Sequence, residues 1–286
     1  YVRGLGDRYS KSILNGVDIP GLDPDRNTIQ MDLFPTGMLS NVLVIKSARA
    51  DLPADFTGGV IDIITKDLPT KEEFTVSLNM GYNPDMHFND NYLTYTGGST
   101  DFLGFDDGSR KNKIANSILG NAFDPRLNQS NSSLNVINRV SNQFDPQMAP
   151  KVSNSGMNFG FGISYGNQLN FKNGNALGVL ASLSYKNEQI VYENTQDNLY
   201  NFSPDKNIFS FEENRIQSGT IGGHNVISSG LFGLTYKTSS SKFKFNGLHI
   251  QNGQSTSGSF RQLTRFSDFI DFNKYNLEYN ERSISN

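Results

Sequence analysis

Hydrophobic and polar residues alternate with period two along much of the chain after Lys71. Phe74, Val76, Leu78, Met80 and Tyr82 interleave with Thr75, Ser77, Asn79 and Gly81. Met157, Phe159, Phe161, Ile163 and Tyr165 interleave with Asn158, Gly160, Gly162 and Ser164. Leu177, Val179, Ala181, Leu183 and Tyr185 form a third row. Phe232, Leu234 and Tyr236 mark a fourth strand, Phe243 and Phe245 open a fifth, and Tyr275, Leu277 and Tyr279 mark a sixth. Neighbouring side chains of a strand point to opposite faces, so each row predicts a strand with one apolar face. In the fifth, the apolar phase slips at Asn246-Gly247 to Leu248 and Ile250, which predicts a bulge.

Residues 1–70 have a different texture, with short apolar runs and turn signals close together. Asn15-Gly16, between Ile13-Leu14 and Val17, predicts a two-residue hairpin, because both turn positions need residues that tolerate positive φ. Pro35 suits the first turn of a short helix reaching about Ser40. Residues 41–47 and 58–66 are rich in Val and Ile and predict buried strands. The segment is expected to be a small α+β unit.

Three features decide which way the apolar rows point. The opposite rows carry mostly Gly, Ser, Asn and Thr, where a strand facing bulk water usually carries Lys and Glu. Tyr closes five rows, at Tyr82, Tyr165, Tyr185, Tyr236 and Tyr279, and a ring with an apolar body and polar tip suits a hydrocarbon–headgroup boundary. The connections alternate in length: long over 83–156 and 186–230, medium over 252–270, short over 166–176 and 237–242. Transmembrane barrels have that asymmetry, and rows of about 9–11 tilted residues span a bilayer. The expectation is a mainly β chain whose residues 71–286 supply about six antiparallel transmembrane β-barrel strands.

Composition agrees once it is divided by strand parity. Charged residues make up 19% of the chain, Gly numbers 27, and Phe and Tyr number 21 and 12, which disfavours a helical protein. The mean hydropathy of -0.47 follows from one-faced apolar strands and Asn-rich connections. Its apolar stretches are strand-length, short of the roughly 20 residues of a spanning helix, and the opening YVRGLGDRYS does not read as a signal peptide. With no Cys there is no thiol chemistry, and a net charge of -3 gives no bias toward nucleic acid.

Several ordered motifs in the first segment resemble the plug of TonB-dependent outer-membrane transporters. They are VRGLGDRY with Arg3-Gly4, the hairpin ILNGVDIP with Asn15-Gly16, LFPTGMLSNVLVIKS, and DFTGGVIDIITK with Gly58-Gly59 and Thr65-Lys66. DFLGFDDGSR is similar in style to outer-membrane proteins of Bacteroidota. The resemblance implies that 1–70 is a plug, truncated at its N-terminal side, and that 71–286 is the N-terminal portion of a 22-stranded barrel. The remaining strands, signal peptide and TonB-contact segment are expected outside this sequence. It further implies active import of a scarce solute, a siderophore, cobalamin, oligosaccharide or peptide, across the bacterial outer membrane. The partners implied are TonB, outer-membrane lipid, the solute and a surface lipoprotein. Solute-facing candidates are residues of the plug loops: Asp7, Arg8, Asp23, Asp25, Arg26, Asp55 and Phe56. A passive porin or surface receptor of the same barrel type, or a soluble β-sandwich binding module, are the alternatives.

Other chemistry finds little support. Gly4-x-Gly6 lacks the third glycine of a dinucleotide turn, since Tyr9 holds that position. Asp23-x-Asp25-x-Asn27 opens like a calcium loop, but Thr28 and Phe34 replace the required Gly and Glu, leaving only a looser calcium site open. Asp106-Asp107-Gly108 reads most simply as a loop turn, with carboxylate chemistry as the alternative. His87, His224 and His249 lack metal-ligand spacing. Asn128, Asn131 and Asn201 open Asn-x-Ser triplets in Asn-rich loops. Neither a cofactor, a metal nor enzymatic activity is expected.

Overall fold

The computed structural model describes residues 4–5, 9–19, 21, 39–50, 52, 57–66, 69, 71–111, 135, 138, 141–142, 146–203, 205, 207–265 and 269–285. The chain is mainly β, in two principal sheets that share one core. A four-stranded sheet has the order β2-β1-β4-β3, built from β1 (Ser10–Leu14), β2 (Val17–Asp18), β3 (Leu39–Ile45) and β4 (Gly59–Thr65). β1 and β4 run parallel, and the other pairs run antiparallel. The expected hairpin is present: Leu14 pairs with Val17, and Asn15 and Gly16 have φ of 51° and 83°. Residues 35–38 of the expected short helix lie outside the described residues, whereas Leu39 and Ser40 already belong to β3. The strand expected buried at 41–47 therefore covers 39–45 and is largely exposed, with Val42, Leu43 and Val44 open on the edge of the small sheet.

The large sheet is antiparallel and contains β5 (Glu73–Gly81), β8 (Asn158–Asn170), β9 (Ala176–Gln196), β11 (Phe211–Lys237), β12 (Lys242–Arg265) and β13 (Phe269–Ser285) in sequential order, with β10 (Leu199–Phe202) paired to β11. β6 (Tyr92–Thr94) and β7 (Lys151–Ser153) form a small separate pair. β8 and β9 are joined by the short turn 171–175, and β11 and β12 by Ser-rich 238–241.

Two expectations are corrected. Strands β9, β11, β12 and β13 have 21, 27, 24 and 17 residues, so most of 186–230 and 252–270 is strand rather than loop. Beyond their apolar rows they continue as polar ladders, such as Gln251 to Ser259 of β12 paired with β11 and β13. Backbone pairing satisfies the N–H and C=O groups there without hydrophobic periodicity in the side chains. The bulge at Asn246-Gly247 is also absent. Pairing runs without a shift from Arg215↔Thr264 to Lys237↔Lys242, with Gly247 opposite Phe232. The apolar phase changes because the strand changes which face it buries: Phe243 and Phe245 stay exposed, whereas Leu248 and Ile250 are buried against the small sheet.

That shared core contains Leu14, Ile19 and Ile63 from the small sheet. Against them pack Leu180, Ile227, Leu231, Leu248, Ile250 and Ile284 of the large sheet. All six large-sheet residues belong to one face by register. The small sheet covers this face, hereafter the inner one.

Candidate functional site

The other face of the large sheet is the candidate site, and toward the end with the short turns its apolar residues are largely uncovered, whereas Val191 and Val226 farther along it are buried. On β5, Phe74 and Val76 are exposed, and Leu78 and Met80 are each 79% exposed. Their partners on the same face are Tyr165, Ile163, Phe161 and Phe159 of β8. Leu183, Phe232, Tyr236, Phe243 and Phe245 continue the exposed apolar band across β9, β11 and β12. Behind it, Gly160, Gly162, Ser164 and Gly166 of β8 are buried on the inner face. A water-facing sheet would lose free energy by exposing a band this large and contiguous.

The band has a slanted upper limit. Met80 is level with Phe159 and, through it, with Asn187 of β9. Phe245 is level with Leu234 and, through it, with Val179 of β9. From β5 to β12 the limit thus slides from position 187 to position 179 over four strand-to-strand steps. Strands about 4.8 Å apart, rising about 3.3 Å per residue and tilted by roughly 45°, shift a level band by about 1.5 residues per step. The slide of two residues per step is close to that geometry.

Tyrosines sit at both ends of the band. Tyr165 donates to Glu72 Oε1 at 3.2 Å and Tyr236 accepts from Asn175 Nδ2 at 2.8 Å, both at the end with the short turns. Tyr82 and Tyr185 lie at the opposite end, with Tyr185 stacked on Phe161 at 5.4 Å. Tyr279 departs from the expected row. It is level with Ser255, beyond Tyr185, and the Arg110 guanidinium covers its ring at 3.9 Å. Burial, followed by the field of Asp101, raises its phenol above the ordinary tyrosine value.

Beyond the band, a strap formed by 92–111 crosses the same face. The carbonyls of Phe102, Leu103 and Gly104 accept hydrogen bonds from Tyr185 Oη (2.6 Å), Ser228 Oγ (3.3 Å) and Gln251 Nε2 (2.7 Å). Those donors are cross-strand neighbours on β9, β11 and β12, so the strap follows one register line. Asp106 N then donates to Glu281 of β13 at 3.2 Å. Arg110 holds the strap closed on itself, pairing with Asp101 and, at 2.9 Å, with Asp106. Its pKa is raised by these hydrogen bonds despite burial, whose effect is opposite and largest. Gly104 has φ 85°, and an added Cβ would lie 3.0 Å from Gly253 N, so the strap lies directly on the sheet. Burial also pushes the Tyr92 phenol up to about 12.

The motif residues form a joint rather than a pocket. Asn15 Oδ1 accepts from Thr65 N at 3.0 Å, Thr65 Oγ1 at 3.2 Å and Lys244 Nζ of β12 at 3.0 Å. Gly16 completes the turn, Lys66 pairs with Glu73 at 2.7 Å, and Gly59 pairs with Ser10. Gly58 donates to Tyr9 O at 2.8 Å, and a Cβ there would press on that carbonyl. Gly4 stands apart, at φ 73°. Arg3 and the proposed solute-facing Asp7, Arg8, Asp23, Asp25, Arg26, Asp55 and Phe56 lie outside the described residues, as do Asn128 and Asn131.

The histidines are separately engaged. His87 Nδ1 accepts from Asn83 N at 2.8 Å, His224 meets Asn187 Nδ2 at 3.0 Å, and His249 meets Ser285 Oγ at 2.8 Å. Among the described residues no three His, Cys, Asp or Glu side chains form a metal-sized cluster. Asp106 and Asp107 accept backbone N–H bonds from Gly108 and Ser109, which is loop-turn geometry. An open groove of about 410 Å³ lies beside the strap, with Glu193, Arg261 and Asn273 in its lining. Its charges are already engaged: Asn89 and Asn91 lower the Glu193 pKa, and Asp271 binds Arg261 through both carboxylate oxygens.

Sequence reasoning missed these strap partners because Ser228 falls in an expected loop, and Gln251 and Glu281 lie just past the apolar rows that marked their strands. Arg110 with Asp101 and Asp106 offered one local signal, a basic residue four and nine positions after two acids. No family model, curated protein or solved structure matches the chain.

Proposed function

We propose that the large sheet is part of the wall of a bacterial outer-membrane β-barrel, with the small sheet seated against its lumen side as a plug, and that the assembly imports a scarce solute with energy delivered through TonB. The observation that carries the membrane reading is the apolar band, exposed on five strands and slanted across their register as tilted barrel strands require. A spanning sheet must also pair every backbone group. β5 and β13 each have one neighbour among the described residues, so the proposed barrel closes through further strands. The end with short turns is assigned to the periplasm, and the strap to the outer side.

The plug assignment draws on the small sheet's packing opposite the band and on the motif resemblance. TonB and solute capture rest on that resemblance. Solute specificity belongs to the plug loops bearing Asp7, Arg8, Asp23, Asp25, Arg26, Asp55 and Phe56. The test is solute uptake by cells producing the protein, before and after collapse of the inner-membrane proton gradient. Uptake should stop when the gradient or TonB is lost. Persisting uptake would instead identify a passive porin and sink the active-transport reading.

A further inference from the structure

Two aromatic rings of the first long connection are displayed where the apolar band ends. Phe102 is 58% exposed, and its carbonyl is held by Tyr185, whose ring contacts Phe159 and Phe161 of the band. Phe88 is also 58% exposed, and its ring lies 6.0 Å from that of Tyr82, just past the end of β5. Its backbone is held at φ 57°, a region costly for a bulky residue, while its N–H donates to Ser155 O at 3.0 Å. The fold thus retains an unfavourable backbone conformation at a residue whose ring points to the surroundings.

The strap follows a register line, whereas the band's limit slides down across the strands. The two are adjacent at β9 and diverge toward β13. Phe105, next to the bond between Asp106 and Glu281 of β13, therefore stands farther from the band than Phe102.

We propose that the strap is a membrane-interface anchor: Phe88 and Phe102 insert at the headgroup boundary of the outer leaflet, while Phe105 stays clear of lipid. This inference rests on the outer-membrane reading. The occupant is a lipid surface, because both rings continue a band proposed to face hydrocarbon, and rings at this depth gain from partial burial without losing backbone pairing. Asp101, beside Phe102, does not oppose insertion as a free charge, since Arg110 neutralises it.

The chain contains no Trp, so substitutions here add a distinct emission over the parent protein. Phe88→Trp, Phe102→Trp, Phe105→Trp and Phe161→Trp are placed separately in the protein, reconstituted in phosphatidylcholine vesicles carrying a nitroxide near the headgroup or near the midplane. Phe161→Trp, the only one of the four set within the band, should lose more of its added emission with the midplane label than the other three do. Phe88→Trp and Phe102→Trp should lose it chiefly with the headgroup label, and Phe105→Trp with neither. Quenching of Phe161→Trp without quenching of Phe88→Trp and Phe102→Trp would overturn the anchor but leave the membrane reading intact. Equal quenching of Phe102→Trp and Phe105→Trp would overturn the slanted placement. An unquenched Phe161→Trp, with circular dichroism still showing the β fold, would overturn the membrane reading beneath both.

Discussion

Asn15 combines two demands at one position: a backbone at φ 51° and a side-chain oxygen with three donors, one of them on β12. Asn15→Ala keeps the strained backbone and removes the acceptor, so the joint between the sheets should lose about 1–3 kcal/mol. Urea unfolding of detergent-solubilised protein, followed by circular dichroism, measures this; an unchanged midpoint would show that the joint carries no stability. The turn was legible in the sequence because positive-φ chemistry is local to Asn15-Gly16. Its partners Thr65 and Lys244 were not, because pairing across 50 and 229 residues depends on where two sheets meet.

At the same scale, His224, partly buried beside Asp101 of the strap, is expected to give the strap a pH dependence. Burial lowers its pKa below the ordinary 6.5, against the opposing field of Asp101. A depressed pKa favours the neutral ring in the folded state, so its contribution is full above the unfolded value and is lost as pH falls through the folded one. Proteolysis within 92–111 should therefore accelerate as pH is lowered from about 7 to about 5, and His224→Gln should flatten that response. An identical pH profile in the variant would remove His224 from the account.

Among the elements, β9, β11 and β12 each have an apolar half that was legible and a polar half that was not. Gly, Ser, Thr, Asn and Gln alternate with one another without a hydrophobic signal, so Asn252 to Ser259 reads as loop although it is paired on both sides. The same blindness turned a change of buried face at Gly247 into an expected bulge. The strap depends on close backbone approach at Gly104. Gly104→Ala would force a side chain into positive φ and against Gly253, at a cost of roughly 1–3 kcal/mol. The expected outcome is protease nicking of 92–111 with the large sheet intact by circular dichroism. Coincident loss of both would make the strap integral to the sheet.

Across the whole molecule, one sheet carries two different environments back to back. Its inner face buries Leu180, Ile227, Leu231, Leu248, Ile250 and Ile284 with the small sheet, while its other face leaves the band of β5, β8, β9, β11 and β12 uncovered. The parity of the sequence had separated the two rows. It did not show that the second long-range packing surface lies within the sheet's own inner row, because Leu248 and Ile250 are as apolar as Phe243 and Phe245. Ile63, fully buried at the meeting of the sheets, should cost about 2–5 kcal/mol when replaced by Ala, read from the same urea unfolding. A smaller loss would mean that the small sheet is not held by this core.

The chain lacks Cys, so single cysteines along β5 can carry a spin label without background from its own residues. With the protein in lipid vesicles, accessibility to dissolved oxygen and to a water-soluble nickel complex is measured at each position from Phe74 to Met80. The account predicts a period-two pattern: oxygen-rich, nickel-poor surroundings at Phe74, Val76, Leu78 and Met80, and the reverse at Thr75, Ser77 and Asn79. Uniform access to nickel at all seven positions would contradict it.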